Sequence, residues 1–382
     1  MLTLCMAMPA PPQPAFTQDS MDRMTGILTT PSTSGDEDAI QKLWLQHVAP
    51  LADSSGTDAD KNAWATFNSP LPGAPSILID AHVDEVGLII KKITPSGFLK
   101  VGIVGFPDLN ALRSSPYLFN GEKGPVKAFA GSKPGWWKTS PADPLFIDPG
   151  ELLFDAGASS EQEAREMGLK PGQRGTPATK PELLHGSRLM AHGLDCRINS
   201  FILTELAHFL SNHRKDLQYN VTLLSSSKEE IGLVGATAYC LKHRPALAIV
   251  IDCTVDTAAL DDQPDEESEF PLSRQVMGKG PVIFTHKGVF HMPITDHLLQ
   301  LARQNAIPVQ QDATFPAGLA NFCPVKFCGG QAAFMGPAIR YMHSPRELVD
   351  LSDVRGMLDL LCRFLASPPP SDLQAAPASA KQ

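Results

Sequence analysis

The sequence has no long hydrophobic run and few basic residues. No uncharged apolar stretch reaches the roughly 18 residues that would suggest a membrane span, so we expect no membrane partner. Lys and Arg total 32 against 41 Asp and Glu, which gives a formal net charge of −9. Because binding to a nucleic-acid backbone needs surplus cations, we expect no nucleic-acid partner either.

Cysteine is also scarce. Seven cysteines spread irregularly over 382 residues are too few for a disulfide scaffold, which favours a reduced, cytoplasmic protein. Cys323 and Cys328 lack a second Cys or His pair at zinc-finger spacing, so no structural zinc site is expected there. The sequence contains neither G-x-S-x-G nor G-x-x-x-x-G-K-[ST]. It therefore indicates neither a serine hydrolase nor a nucleotide phosphate site.

The composition between the two ends is that of an ordinary globular protein, because 43% of all residues are hydrophobic and 19% are charged. Residues 1–18 contain no Lys or Arg and fit a secretory signal poorly, so we expect a disordered leader. Residues 367–382 are rich in Pro, Ala and Ser, and we expect them to form a disordered tail.

Apolar runs that alternate with amphipathic segments predict an α/β fold with a largely parallel sheet flanked by helices. Strands are expected at residues 76–81, 221–225, 246–253 and 332–341, and helices at residues 36–48, 199–210, 232–242 and 349–365. Residues 91–185 are rich in Gly and Pro and carry short alternating runs, which predicts an inserted small β-barrel domain. The α/β domain is then discontinuous, with residues 19–90 and 186–366.

Candidate functional residues follow the expected strands, where sites form in open α/β sheets. The first strand leads into His82 and Asp84, which share one face of an extended segment, so Asp84 could brace a metal-binding imidazole. In an isolated H-x-D triplet, however, the polar side chains more often simply face solvent. The second strand leads into Glu229 and Glu230. One interpretation of this pair is a solvated turn. In the other, one carboxylate binds a metal and the adjacent carboxylate points at a water bound to that metal.

Further candidates lie at the ends of other core elements. Asp252 closes the third apolar strand, where an unpaired charge is costly, which favours a ligand or a partnered ion. Asp195 precedes a helix, where its alternative role is that of an anion at the helix N-terminus, and His343 follows the last strand. His192 could compete as a ligand, although packing at the helix entry is favoured. Taken together, three carboxylates and two imidazoles form a ligand set suited to zinc, cobalt or manganese.

Several motifs in this order resemble one enzyme family. They are residues 81–87 (AHVDEVG), 155–172 (DAGASSEQEAREMGLKPG), 229–236 (EEIGLVGA), 278–283 (GKGPVI) and 340–347 (RYMHSPRE). With them the chain resembles the cocatalytic metallo-aminopeptidases, which include glutamyl aminopeptidases, tetrahedral aminopeptidases and FrvX-type proteins. The resemblance covers residues 29–366, and it implies a metal-dependent aminopeptidase that acts on short peptides.

The resemblance also implies roles for the candidate residues. Asp195 would bridge two divalent metal ions, zinc being favoured and cobalt or manganese compatible. His82 and Asp252 would complete one metal position, and Glu230 and His343 the other. Glu229 would be the general base acting on a water that bridges the two metals, and Asp84 would orient His82. The inserted β domain would drive assembly into a homo-oligomer, from dimers to tetrahedral dodecamers.

The chain departs from the family pattern at two motifs. The bridging motif usually reads Asp-Asp-Arg or Asp-Asn-Arg, whereas this chain has Cys196 after Asp195. The expected Gly-Thr-Asp-Ala element is degraded, with residues 311–314 (QDAT) as its nearest remnant. Two alternatives stay open: a related dinuclear amidohydrolase of the deacylase or carboxypeptidase-like type, and a catalytically weak metal-binding oligomeric scaffold.

Overall fold

The structure is a computed structural model that describes residues 16–131, 152–257, 275–313 and 320–374. Its helices are α1 (Gln18–Thr29), α2 (Asp38–Val48), α3 (Glu161–Glu166), α4 (Leu194–Asn212), α5 (Val234–His243), α6 (Met292–Gln304), α7 (Phe322–Phe327), α8 (Leu351–Ala366) and α9 (Ser371–Gln374). Its strands are β1 (Ser54–Thr57), β2 (Ala63–Phe67), β3 (Ser76–His82), β4 (Gly87–Ile93), β5 (Leu99–Val104), β6 (Pro116–Gly121), β7 (Gly124–Ala130), β8 (Leu153–Asp155), β9 (Arg174–Pro177), β10 (Glu182–Leu183), β11 (Arg188–Ala191), β12 (Asn220–Ser226), β13 (Leu247–Ile251), β14 (Thr254–Val255), β15 (Val282–Phe284), β16 (Gln310–Asp312), β17 (Gln331–Gly336), β18 (Ala338–Ile339) and β19 (Glu347–Asp350). Among the helices of these residues, none is long and apolar enough to span a bilayer.

In the described part of the chain, the main sheet has eight strands in the order β1-β2-β12-β3-β13-β17-β15-β16. The central strands β12, β3, β13 and β17 are parallel. Antiparallel pairs join β1 to β2, β2 to β12 and β15 to β17. Every residue of β13 is buried, as expected for a strand that helices cover on both faces. The α/β prediction is confirmed, with a parallel centre and mixed edges.

Helices cover both faces of this sheet. On one face α1, α2 and α8 pack against α4, and α6 packs against α8. Side chains such as Phe201 and Leu206 of α4 are fully buried there, and burial of each contributes about 2 kcal/mol. On the other face α5 and α7 cover an apolar cluster that includes Phe290, Phe322 and Phe334. With both faces covered, the ends of the strands are where polar side chains can gather.

Strands β4 to β9 close into a barrel in the order β4-β5-β8-β7-β6-β9. Phe119 and Phe154 are fully buried inside it and meet edge to face, with ring centroids 5.9 Å apart. The β-barrel prediction is confirmed. The barrel domain was expected to start at residue 91. Its first strand, β4, begins earlier, at Gly87, since only residues 83–86 separate β4 from β3.

Two expected elements in the second half of the chain differ in their bounds. The strand expected at residues 332–341 divides into β17 and β18 at Pro337, which has no backbone N–H to donate. The helix expected to start at residue 349 starts at Leu351. Residues before it form β19, and the Asp350 side chain caps the helix by accepting a hydrogen bond from the Ser352 N–H at 2.9 Å.

The predictions of disorder at both ends need correction at their inner margins. Phe16 belongs to the expected leader, yet its ring packs on Phe201 with centroids 5.2 Å apart, and α1 begins at Gln18. Leu373 belongs to the expected tail, yet it lies in α9 and is only 2% exposed. In both cases an apolar side chain joins the core, which offsets the cost of ordering the backbone. The rest of both predictions, residues 1–15 and 375–382, lies outside the described residues.

Candidate metal centre

Five side chains expected to bind metal converge at the carboxyl ends of the central strands. His82 ends β3, Asp252 follows β13 directly, and Glu230 lies in the loop after β12. The parallel register of these strands brings their ends to one edge of the sheet. Asp195 enters from the first turn of α4, and His343 enters from the loop after β18.

The first group of potential ligands forms around His82. Its Nε2 atom lies 3.2 Å from Oδ1 of Asp195 and 3.5 Å from Oδ1 of Asp252. Cys196 belongs to the same group, because the ligand atoms of all four residues lie within 4.8 Å of one another. All four residues are buried, so the group is held away from bulk water.

The second group forms around His343. Its Nε2 atom lies 3.3 Å from Oε2 of Glu230 and 3.5 Å from Oδ2 of Asp195. The two oxygens of Asp195 therefore face different groups, Oδ1 the first and Oδ2 the second. One carboxylate is thus shared by two sets of potential ligands.

The spacing and chemistry of these atoms fit divalent metals. Ligand atoms at the corners of a tetrahedral zinc site, with bonds near 2.1 Å, stand about 3.4 Å apart. The four contacts that His82 and His343 make with carboxylate oxygens span 3.2 to 3.5 Å. Oε1 of Glu230 is buried without a hydrogen-bond partner among the described residues. A cation beside it would satisfy an otherwise costly buried oxygen.

The electrostatics of the centre favour added positive charge. Burial raises the pKa of Glu230 to about 7, and Asp195 adds to the rise while His343 opposes it. Burial alone would lower the pKa of His343, but its bonds to Asp195 and Glu230 outweigh burial and raise the pKa to about 11. Asp195 and Glu230 thus stabilise the protonated form of His343. The same two carboxylates would attract a metal cation placed between them.

Asp84 holds the loop that carries the adjacent glutamates. Its Oδ1 accepts from the Glu229 N–H at 3.0 Å, and its Oδ2 accepts from the Glu230 N–H at 3.2 Å and the Ser34 hydroxyl at 2.5 Å. The nearest Asp84 atom to Nδ1 of His82 is its backbone carbonyl, at 3.0 Å, whereas Oδ1 is 3.6 Å away. The contact between Asp84 and the His82 ring is therefore made mainly by the Asp84 backbone.

Comparison with known proteins assigns the chain to a family. Residues 62–360 match the family model described as M42 glutamyl aminopeptidase. The chain belongs to the M42 family. The resemblance expected from the motifs is thereby confirmed. Members of this family are metal-dependent aminopeptidases, which hydrolyse peptide bonds, and the buried ligand groups agree with that chemistry.

M42 relatives match nearly the whole chain. The lysyl aminopeptidase of Pyrococcus furiosus is 30% identical over 353 residues, which cover 91% of this chain and 97% of that protein. The glutamyl aminopeptidase of Lactococcus lactis is 24% identical over 338 residues, with 87% and 92% coverage. The TET1 peptidase of Pyrococcus horikoshii, which can assemble into a tetrahedron or a large octahedral shell, is 25% identical. Its structure aligns with a TM-score of 0.79 over 91% of this chain and 99% of that chain.

Glu347 is a residue of the M42 site to which the sequence patterns assigned no role. Its Oε1 accepts from the His343 N–H at 2.7 Å, and its Oε2 accepts from the Asp195 N–H at 3.1 Å. It is 1% exposed, and it holds His343 at a φ of 64°, which is uncommon outside glycine. In the sequence, the only local signal for a role of Glu347 is that it ends the motif at residues 340–347, which contains His343.

A buried ion cluster lies behind the M42 site, between the barrel and the α/β domain. Glu85 accepts from the Arg197 guanidinium at 3.2 Å, lies 2.8 Å from Nδ1 of His192, and accepts from Thr176 of β9 at 2.5 Å. His192, weighed above as a competing ligand, therefore belongs to this cluster and not to either ligand group. Packing at the helix entry is its observed role.

The degraded Gly-Thr-Asp-Ala element contributes no ligand from its described residues. Asp312, in the nearest remnant, lies on β16 at the edge of the sheet, where its Oδ2 accepts a hydrogen bond from Nε2 of the Gln275 side chain at 2.5 Å. Thr314 of the same remnant lies outside the described residues. Asp312 therefore belongs to a contact between segments at the sheet edge.

Proposed function

We propose that this M42 protein removes N-terminal residues from short peptides with two divalent metal ions per subunit. Zinc is the proposed metal, and the same donors would also accept cobalt or manganese. His82 and Asp252 would hold one ion, Glu230 and His343 the other, and Asp195 both. The observation that carries the proposal is the shared position of Asp195, whose two oxygens face two different imidazoles at 3.2 and 3.5 Å.

The charge of the ligand set supports two ions. Asp195, Glu230 and Asp252 together carry −3 when ionised, which two divalent ions would more than balance. Bound ions of this kind supply Lewis acidity, since they polarise the scissile carbonyl and lower the pKa of an attacking water. Four of the five proposed ligands are buried and His343 is partly buried, and electrostatic effects are stronger in such surroundings than in water.

Glu229 is the proposed general base. Its backbone N–H and that of Glu230 donate to the Asp84 carboxylate, so the position of Glu229 relative to the proposed ligands is set. Among the described residues, its carboxylate makes no hydrogen bond or ion pair, which leaves its oxygens available for proton transfer. In this proposal a Glu229 oxygen takes a proton from the attacking water and then delivers it to the leaving amine.

We also propose a homo-oligomer, built from dimers and extending to a tetrahedral dodecamer, in which the barrel makes subunit contacts. The barrel exposes large apolar side chains, of which Phe129 is 50%, Ile103 40% and Leu153 39% exposed. Exposed apolar side chains close together are typical of interaction surfaces. The likeness to a TET1 peptidase that assembles into closed shells supports the same proposal. A closed shell would restrict substrates to short peptides, and a cytoplasmic location stays a prediction.

Glu229→Gln tests the function and the role of the base together. We expect the variant to keep two metals per subunit while hydrolysis of aminoacyl-arylamides falls about 10²- to 10⁴-fold. Glu230→Gln is the matched control, because it should lose metal as well as activity. Wild-type turnover in Glu229→Gln would remove Glu229 from the mechanism.

A substrate panel on the wild-type protein separates the alternatives. The proposal expects hydrolysis of peptides with a free amino terminus. Preference for N-acylated or C-terminal substrates would favour the related amidohydrolase. Full metal content with no hydrolysis across the panel would favour a metal-binding scaffold.

A further inference from the structure

The ligand group around His82 contains a residue that the family pattern does not assign to metal. Where the bridging motif usually has Asp or Asn, this chain has Cys196, which is fully buried. Its sulfur lies within 4.8 Å of the ligand atoms of His82, Asp195 and Asp252. A soft donor thus stands beside one nitrogen and two carboxylate donors.

The Cys196 sulfur accepts one short hydrogen bond and donates one long one. Nδ2 of Asn199 donates to Sγ at 2.9 Å, and Asn199 is itself fully buried on the next turn of α4. The thiol donates to the Ile251 carbonyl at 3.7 Å. This hydrogen bond is long and therefore weak, so its loss on metal binding would cost little free energy. N–H donors aimed at sulfur also stabilise thiolates that ligate metals.

Cys253 provides an internal comparison. It follows Asp252 as Cys196 follows Asp195, and its sulfur lies 3.8 Å from the same Asn199 Nδ2. Its sulfur is nevertheless not among the potential ligands, and its thiol donates to the Leu194 carbonyl at 3.4 Å. Of these two buried thiols, one belongs to the ligand group and the other to the core beside it.

We propose that Cys196 binds metal through its sulfur, as a fourth protein ligand to the position formed by His82, Asp195 and Asp252. The inference rests on the proposed function. On binding, the thiol proton leaves to the buffer and the sulfur–metal bond takes its place. Four protein ligands fill a tetrahedral zinc position, whereas Asp195, Glu230 and His343 leave one corner of the other position open. The substrate would then bind at the open corner of the position formed by Asp195, Glu230 and His343.

A sulfur ligand also changes which metal the position selects. Thiolates favour zinc and cobalt, whereas manganese prefers oxygen donors. We therefore expect Cys196→Ser to lower the preference for zinc over manganese at this position by at least about tenfold, because even outer partners of metal ligands change affinity by 10- to 100-fold.

The test is the absorption spectrum of the full-length protein loaded with cobalt. We expect a near-ultraviolet thiolate-to-cobalt charge-transfer band that Cys196→Ser abolishes and that Cys253→Ser, the matched buried thiol, retains. Cobalt bound without this band in the wild type would overturn the inference and leave the proposed function standing. Failure to bind cobalt or zinc at all would overturn both.

X-ray absorption of the zinc-loaded wild type supplies a second test that needs no variant. We expect a sulfur scatterer at about 2.3 Å, the usual zinc–sulfur bond length, with one sulfur for every two zinc ions. A spectrum fitted by nitrogen and oxygen alone would overturn the inference, even if Cys196→Ser does not fold.

Discussion

Replacing Glu85 with glutamine should destabilise the protein strongly at neutral pH and weakly in acid. Glu85 is 1% exposed and lies beside the fully buried Arg197 and His192. Burial alone would raise the pKa of Glu85, but Arg197 and His192 outweigh it and lower the pKa from 4.5 to about 2. Glutamine keeps the size of the side chain and some of its hydrogen bonds, but it removes the negative charge.

The lowered pKa of Glu85 and the cost of breaking a buried ion pair each give the size of the effect. Each tenfold change in acid dissociation is worth about 1.4 kcal/mol, so the lowered pKa corresponds to about 3 kcal/mol of stability at pH 7. Separately, removing one partner of a buried ion pair costs about 3–5 kcal/mol, because the remaining charge is left uncompensated. We expect Glu85→Gln to lower the free energy of unfolding by about 3 kcal/mol at pH 7.

The sign of the pH dependence follows from the lowered pKa. An acid whose pKa is lower in the folded state stabilises the protein above its unfolded pKa, and this contribution is lost as pH falls toward the folded pKa. The wild type should therefore lose its advantage over Glu85→Gln between about pH 4.5 and 2. The difference should be constant between pH 6 and 8.

Urea unfolding followed by tryptophan fluorescence, at one protein concentration and at several pH values, measures the difference. Glu122→Gln is the control, since Glu122 pairs with Lys170 on the exposed surface of the barrel, where ion pairs contribute little. Equal stability of Glu85→Gln and wild type at pH 7 would refute the reasoning. A deficit that stays constant down to pH 3.5 would refute it as well.

Two further substitutions test the positioning of the site and the packing of the barrel. Glu347→Gln should weaken metal binding about 10- to 100-fold, because Glu347 holds the backbones of two proposed ligands, and metal titration of variant and wild type would show it. Gly175→Ala should cost about 1–3 kcal/mol in thermal or urea unfolding, because an added Cβ would lie 2.5 Å from the buried Phe119 ring. Gly131→Ala is its control, since no described atom lies within 4 Å of the position of the added carbon. Unchanged metal affinity in the first variant, or equal stability of the two alanine variants, would contradict these expectations.

Local patterns were enough to predict the centre of the fold and the places in the chain of the candidate ligands. The continuous apolar run that became β13 can be buried only between two layers, and the charged Asp252 directly after it had to lie at the edge of the core. Period-3.6 patterns located the middle of α4. Its start at Leu194 was missed because Asp195 and Cys196 have non-helical backbone angles.

Other features depend on contacts between distant segments and leave no local pattern. Glu85 looks like one more acidic residue after a strand, and only the fold brings Arg197, 112 positions later, against it. The helix α6 was missed for a different reason, because its apolar period and Pro293 in its first turn, a residue favoured at helix starts, are local signals that were not used. The β10 and β14 strands have two residues each, and each exists only because a strand from another part of the chain pairs with it, β11 with β10 and β18 with β14.

The central claim, two metal ions that share Asp195, is tested most directly by anomalous X-ray scattering at the zinc edge from crystals of the zinc-loaded protein. We expect two peaks per subunit, one beside His82 and Asp252 and one beside His343 and Glu230, each within bonding distance of a different Asp195 oxygen. A single peak, or two peaks of which either lacks contact with Asp195, would contradict the claim.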